Sequence, residues 1–202
     1  LTTGCSFTHA PNSWANYLKE QYDLINVAEG GAGNEMNLRN ACLELLTESY
    51  SHVIAQISGI NRFEMVLDEK IETTNNYILP KEYYTWIKST GDQRWWRGLE
   101  QNNFDLFRTS KQISDRLDAY IKYTHSDVQQ ILRTLMNIVF LQKLCKEKNI
   151  SCLFFCWKNE FGIYEKQINE SAELTNWWDQ IDWSKFWFHG ALGGLAEWGI
   201  AN

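Results

Sequence analysis

A chain of 202 residues is long enough to bury one substantial core without staples, and five widely spaced cysteines, an odd number, argue against a disulfide framework. The net charge of −6 comes from basic residues scattered among acidic ones, which leaves no cationic stripe to follow a phosphate backbone, so nucleic acid is not an expected partner. No apolar run approaches the ~20 residues needed to cross a bilayer and no charged-then-apolar leader opens the chain, so the expectation is a cytoplasmic protein with reduced thiols and no membrane partner.

In chain order, a first strand is expected to end near Cys5, followed by a loop over Ser6 to Asn12 and a helix from the N-cap Ser13 to about Tyr22. Asp23 to Ala28 reads as a second short strand, Glu29 to Gly33 as a glycine-rich loop, and Asn34 to about Tyr50 as a helix carrying Met36, Leu38, Ala41, Leu45 and Leu46 near helical spacing. Ser51 to Ser58 reads as a third strand, with Gly59 to Arg62 turning out of it. From about 64 to 125 the sequence is polar and aromatic without strand alternation, and a largely helical insertion is expected there. Ser126 then opens a long amphipathic helix to about Lys148, in whose stripe Gln142 is the one polar break. Ile150 to Trp157 is a fourth strand, Ser184 to Phe188 a weaker fifth, and Leu192 to Ile200 a final helical piece.

Strands alternating with helices imply an α/β fold in one domain over residues 1–202: about five parallel strands covered on both faces, in three layers, with right-handed crossovers. In such sheets ligands bind beyond the carboxyl ends of the strands. The opening at Leu1 without a methionine, close to the end of the first strand, and the stop at Asn202 straight after a helix are expected of a fragment of a longer chain.

Three short segments leave the first three strand ends in order: Gly4-Cys5-Ser6-Phe7-Thr8, Asn26 to Asn34, and Ser58-Gly59-Ile60-Asn61-Arg62. They supply a hydroxyl, a glycine N–H and a carboxamide, the set that acyl transfer needs: a nucleophile, and donors for the negative charge of a tetrahedral intermediate. Singly, each has a plainer reading. Ser6 can cap a turn, the glycines can serve positive φ angles, and Asn61 can close an Asx turn. The glycine-rich loop lacks both the G-x-G-x-x-G and the Gly-Lys-Ser/Thr spacing of nucleotide sites. Cys152 and Cys156 have no second Cys or His pair beside them and lie in a strand-like run, so no metal site is expected.

The three segments resemble the first three sequence blocks of the SGNH (GDSL-type) hydrolase superfamily. The match covers residues 3 to 63: Ser6 in the first block, Asn26 to Gly31 as the N-x-x-x-x-G of the second, and Asn61 two residues after Gly59 in the third. The resemblance implies a flavodoxin-like sheet, Ser6 as nucleophile, and Ser6 N–H, Gly31 N–H and the Asn61 carboxamide as oxyanion donors. It also implies a small-molecule or carbohydrate ester substrate and no cofactor. Cys5, Phe7 and Arg62 depart from the family's usual Asp, Leu and Asp. The family's Asp-x-x-His block is absent; His189 is the late candidate for the base, His9 is expected at the rim, and the missing block is expected beyond Asn202. Arg62, Asn34, Trp95 and Trp96 are the expected substrate-contacting residues. The alternative is a catalytically inactive SGNH-like module that binds a glycan or other ligand through its aromatic insertion.

Overall fold

The computed structural model describes residues 1–30, 32–60, 62–67, 85–90, 119, 123, 126–188 and 190–201. Its centre is a parallel sheet of four strands: β1 (Thr2–Thr3), β2 (His52–Ile57), β5 (Ser151–Cys156) and β6 (Phe186–Trp187), ordered β1-β2-β5-β6. Where the sequence predicts a second strand, the chain makes one parallel bridge, Asn26 to Thr2, on the outer side of β1. Thr2 N–H donates to Ile25 at 2.8 Å and Val27 N–H to Thr2 at 2.9 Å. With a partner of only two residues, the segment has no ladder to extend. Counting that bridge, the spatial order is 2-1-3-4-5, the flavodoxin-like order.

The faces of β2 separate cleanly, as a two-residue period requires. Val53, Ala55 and Ile57 join Phe154 and Cys156 of β5 in a core built with Leu38 and Leu45 of α3 (Asn34–Thr47) and Ile131, Leu135 and Ile138 of α4 (Asp127–Glu147). On the opposite face Gln56 meets Thr8 of α1 (Ser6–His9) and Trp14 of α2 (Trp14–Lys19), and Trp14 packs edge-on against Phe155. Helices thus flank both sides of the sheet. Ser13 caps α2 as expected, accepting from Asn16 N–H.

Gln142 is not the one polar residue buried along α4, since Gln130 and Thr134 are buried too, and it has a partner: it donates to the Asp182 carbonyl at 3.1 Å and accepts the Asp182 N–H at 2.9 Å, tying the helix to the segment that leads into β6. Beyond β5 run α5 (Glu160–Ile163), α6 (Glu165–Glu170), α7 (Ala172–Asp179), a 3-10 turn (Trp183–Lys185) and α8 (Leu195–Ala201). Trp178, Trp183, Phe161 and Phe186 pack ring to ring there, so these tryptophans fill core.

Inside the stretch expected to be a helical insertion, the described residues include an antiparallel strand pair, β3 (Arg62–Leu67) and β4 (Thr85–Thr90), in register from Arg62–Thr90 to Leu67–Thr85. Alternation is confined to Arg62-Phe63-Glu64-Met65 and lost in Met65-Val66-Leu67, too short a signal to mark a strand in the sequence. Trp95 and Trp96 lie outside the described residues. All five cysteines are free thiols.

Candidate functional site

The loops that follow β1, the Asn26 bridge, β2 and β5 lie along the carboxyl edge of the sheet. The first turns sharply at Gly4, whose φ of +156° suits glycine and where a Cβ would run into Thr8 Oγ1. The chain then enters α1 at Ser6, with Thr8 N–H and His9 N–H both donating to the Cys5 carbonyl at 2.9 Å. Beneath it a polar network fixes the turn to the sheet. Thr8 Oγ1 donates to Gln56 Oε1, Trp14 Nε1 donates to both, and Gln56 Nε2 donates to Cys5 Sγ at 3.4 Å. Gln56 is fully buried in mid-strand, and this network satisfies it.

Asn26, the first residue of the N-x-x-x-x-G pattern, joins the first loop to the second. Its Nδ2 donates to the Thr8 carbonyl at 2.9 Å and its Oδ1 accepts the Ala28 N–H at 3.1 Å. Glu29 N–H adds a bond to the Gly4 carbonyl at 3.2 Å. Asn34 joins the second loop to the third: Oδ1 accepts Ser58 N–H at 2.7 Å and Ser58 Oγ at 3.0 Å, while Nδ2 reaches the Ser58 carbonyl and Thr134 Oγ1. Both ends of this buried carboxamide are engaged within the protein, so what the structure shows for Asn34 is a brace.

Arg62 is half-buried, with Nη1 3.4 Å from the Ala32 carbonyl, and its own carbonyl crowds Gly33, where a Cβ would stand 3.0 Å away. Gly31 and Asn61 lie outside the described residues, as does the Ser6 side chain. Cys5, Ala32 and Arg62, next to them in the chain, take part in these contacts.

The fourth loop closes the row. Phe7 stacks on Trp157 with ring centroids 3.6 Å apart and planes 8° from parallel, bridging over the end of β2 while Phe7 stays 40 % exposed. Trp157 and Asn159 are pinned from the C-terminal side, since Ala196 N–H donates to the Trp157 carbonyl at 2.7 Å and Asn159 N–H to Glu197 Oε1 at 3.1 Å. Glu197 also accepts Gly194 N–H at 2.8 Å. Burial pushes its carboxyl up, but these N–H donors outweigh burial and hold it below the ordinary value.

Glu160, 4 % exposed at the start of α5, turns its Oε2 toward Ile60 N–H at 3.4 Å. Burial raises its carboxyl above the usual range against the pull of Lys158 and Arg62. Sequence reading missed this residue. A lone acidic residue after a strand carries no pattern, and only the parallel register of β2 and β5 brings it beside the third loop.

The histidines divide by position. His52 sits at the opposite, amino-terminal edge, where with Leu1, Tyr22 and Leu153 it lines a cavity of about 630 Å³. His125 and His189 lie outside the described residues. His9 belongs to the loop cluster: its Nδ1 is 2.9 Å from the Ala28 carbonyl, an acceptor only, so in the neutral ring Nδ1 carries the proton and Nε2 keeps its lone pair. The ring is exposed, as the rim position implies.

Compared with known proteins, the chain matches no family model, no curated protein and no solved structure.

Proposed function

We propose that this chain is an ester hydrolase of the SGNH type, acting through an acyl-enzyme on Ser6, with O-acyl groups of carbohydrates as the substrate class. The observation that carries this reading is the pair of asparagine braces. Asn26 ties the Ser6 turn to the second loop and Asn34 ties the second loop to the third, so the three motif-bearing loops stand side by side where parallel sheets take their ligands.

In the proposed reaction Ser6 Oγ attacks the ester carbonyl and gives up its proton to a base. The oxyanion draws on Ser6 N–H, Gly31 N–H and Asn61 Nδ2, the alcohol departs with a proton, and water then hydrolyses the acyl-enzyme. The sequence offers His189 as the base within this chain, or an Asp-x-x-His block beyond Asn202. No metal or organic cofactor enters this chemistry. The Phe7–Trp157 stack beside Ser6 supports the carbohydrate reading, because partly exposed aromatic rings next to the site suit the apolar face of a sugar.

Hydrolysis of p-nitrophenyl acetate and of an acetylated sugar by the chain and its Ser6→Ala variant tests the reading. Turnover that disappears with Ser6 is the expected result. Saturable glycan binding that survives Ser6→Ala, with no Ser6-dependent turnover, is the result of the binding-module alternative.

A further inference from the structure

We propose that Glu160 is the positioning residue of the third loop, holding Ile60 N–H and with it the backbone that leads into Asn61; what that orientation is for rests on the esterase reading, but the contact does not.

The register of the sheet puts these residues together. Ile57 pairs with Cys156 at the ends of β2 and β5, and the chain continues three residues to Ile60 on one side and four to Glu160 on the other. Ile60 is 1 % exposed and Glu160 4 %, so the carboxylate meets the Ile60 N–H out of water. Glutamate is almost never so deeply buried unless it is paired, because an uncompensated carboxylate is costly.

The helical turn that presents Glu160 is itself fixed. Asn159 accepts Gly162 N–H at 2.9 Å, Gly162 has no room for a Cβ against that side chain, and Asn159 N–H is held by Glu197. The inward direction of Glu160 therefore belongs to a braced turn.

The titratable and charged groups around it come from each neighbouring element: Lys158 from its own loop, Arg62 from β3, Glu197 from α8, the Cys156 thiol of β5 and Tyr164 at the end of α5. The two cations draw the carboxylate into its charged form and Glu197 opposes them. Protonation of Glu160 cancels its attraction for Arg62 and weakens the acceptor facing Ile60, so the third loop responds to this one group.

The test is an amide-resolved NMR titration of the ¹⁵N-labelled chain without substrate, from roughly pH 4 to pH 8, a range that brackets glutamate titration. The Ile60 amide is expected to titrate with a midpoint above the ordinary glutamate value of 4.5, and the Asn61 backbone and carboxamide signals to move with the same midpoint. In Glu160→Gln, which keeps an acceptor oxygen, that component disappears; in Glu160→Asp, one methylene shorter, it shrinks. A flat Ile60 amide in the native chain overturns the proposal, as does a titration that survives Glu160→Gln or an Asn61 that stays still while Ile60 moves. No substrate is involved, so loss of the esterase reading leaves this result intact, and an active esterase with a flat Ile60 amide removes this proposal alone.

Discussion

Asn34 and Ser58 form a reciprocal pair: the Asn34 carboxamide accepts Ser58 N–H at 2.7 Å and donates to the Ser58 carbonyl at 3.0 Å, as a neighbouring strand would. One buried side chain thus extends the hydrogen-bonding edge of β2 for a residue past its end and binds the glycine-rich loop to the loop carrying Asn61. Replacing it by alanine strands a buried N–H and a buried C=O, at about 1–3 kcal/mol each. Asn34→Ala is expected to lower Tm by roughly 4–24 °C in a domain of this size, measured by thermal unfolding. A shift within experimental scatter would mean the two loops are held by something else.

Gln56 is the polar residue in the otherwise apolar run Val53-Ile54-Ala55-Gln56-Ile57, and its neighbours explain it. Gln56→Leu preserves volume but deprives Thr8 Oγ–H and Trp14 Nε1–H of their common acceptor and Cys5 Sγ of its donor. Denaturant unfolding is expected to show a loss of about 2–4 kcal/mol with little change in slope. A neutral effect would show that the network contributes nothing net.

Gly4 combines a positive φ with a lack of room, since a Cβ would press on Thr8 Oγ1 and stand 2.9 Å from Gln56 Cβ. Both neighbours belong to the buried network and cannot swing into solvent. Gly4→Ala is therefore expected to cost about 1–3 kcal/mol, and to do so non-additively with Gln56→Leu, because the two changes disturb one network. Additive losses in a double-mutant cycle would separate them.

Glu160 makes a prediction about stability against pH. Its carboxyl is raised above the unfolded value of 4.5, so the native state holds this proton more tightly than the unfolded chain does. By linkage, its contribution makes the fold more stable as pH falls from the raised native value toward 4.5, and at neutral pH the buried charge is a cost. Glu160→Gln is expected to remove that component and to leave stability at pH 7 equal to or above that of the native chain, by urea unfolding at two pH values. A marked loss at pH 7 would make Glu160 a plain stabilising residue.

The elements whose patterns were strong in sequence are the ones the structure contains with little change: the Ser13-capped helix, the long helix α4, and β2 with its apolar run. The second strand contracted to the bridge at Asn26, because its length depends on a partner, β1, that offers two residues. The strand pair β3–β4 was not read as a pair because each strand depends on a partner that lies 18 to 28 residues away along the chain, with no two-residue turn signal joining them. The loop order of the candidate site was legible, since strand ends and small polar residues are local signals. The braces were not: Asn34 reads as the first residue of a helix, placed to meet substrate, and only the adjacency of β2 to the second loop turns it inward. Glu160 and the Phe7–Trp157 stack likewise join segments about 100 or more residues apart, a separation that no window of sequence spans.

The most direct test of the account is to incubate the chain with p-nitrophenyl acetate beside Ser6→Ala at neutral pH, following nitrophenol release and the mass of the Ser6-containing peptide. Nitrophenol release that depends on Ser6 is expected, with an acetyl group on that peptide in the native chain and none in the variant. Equal release from both proteins, with no acetyl group at Ser6, would contradict it.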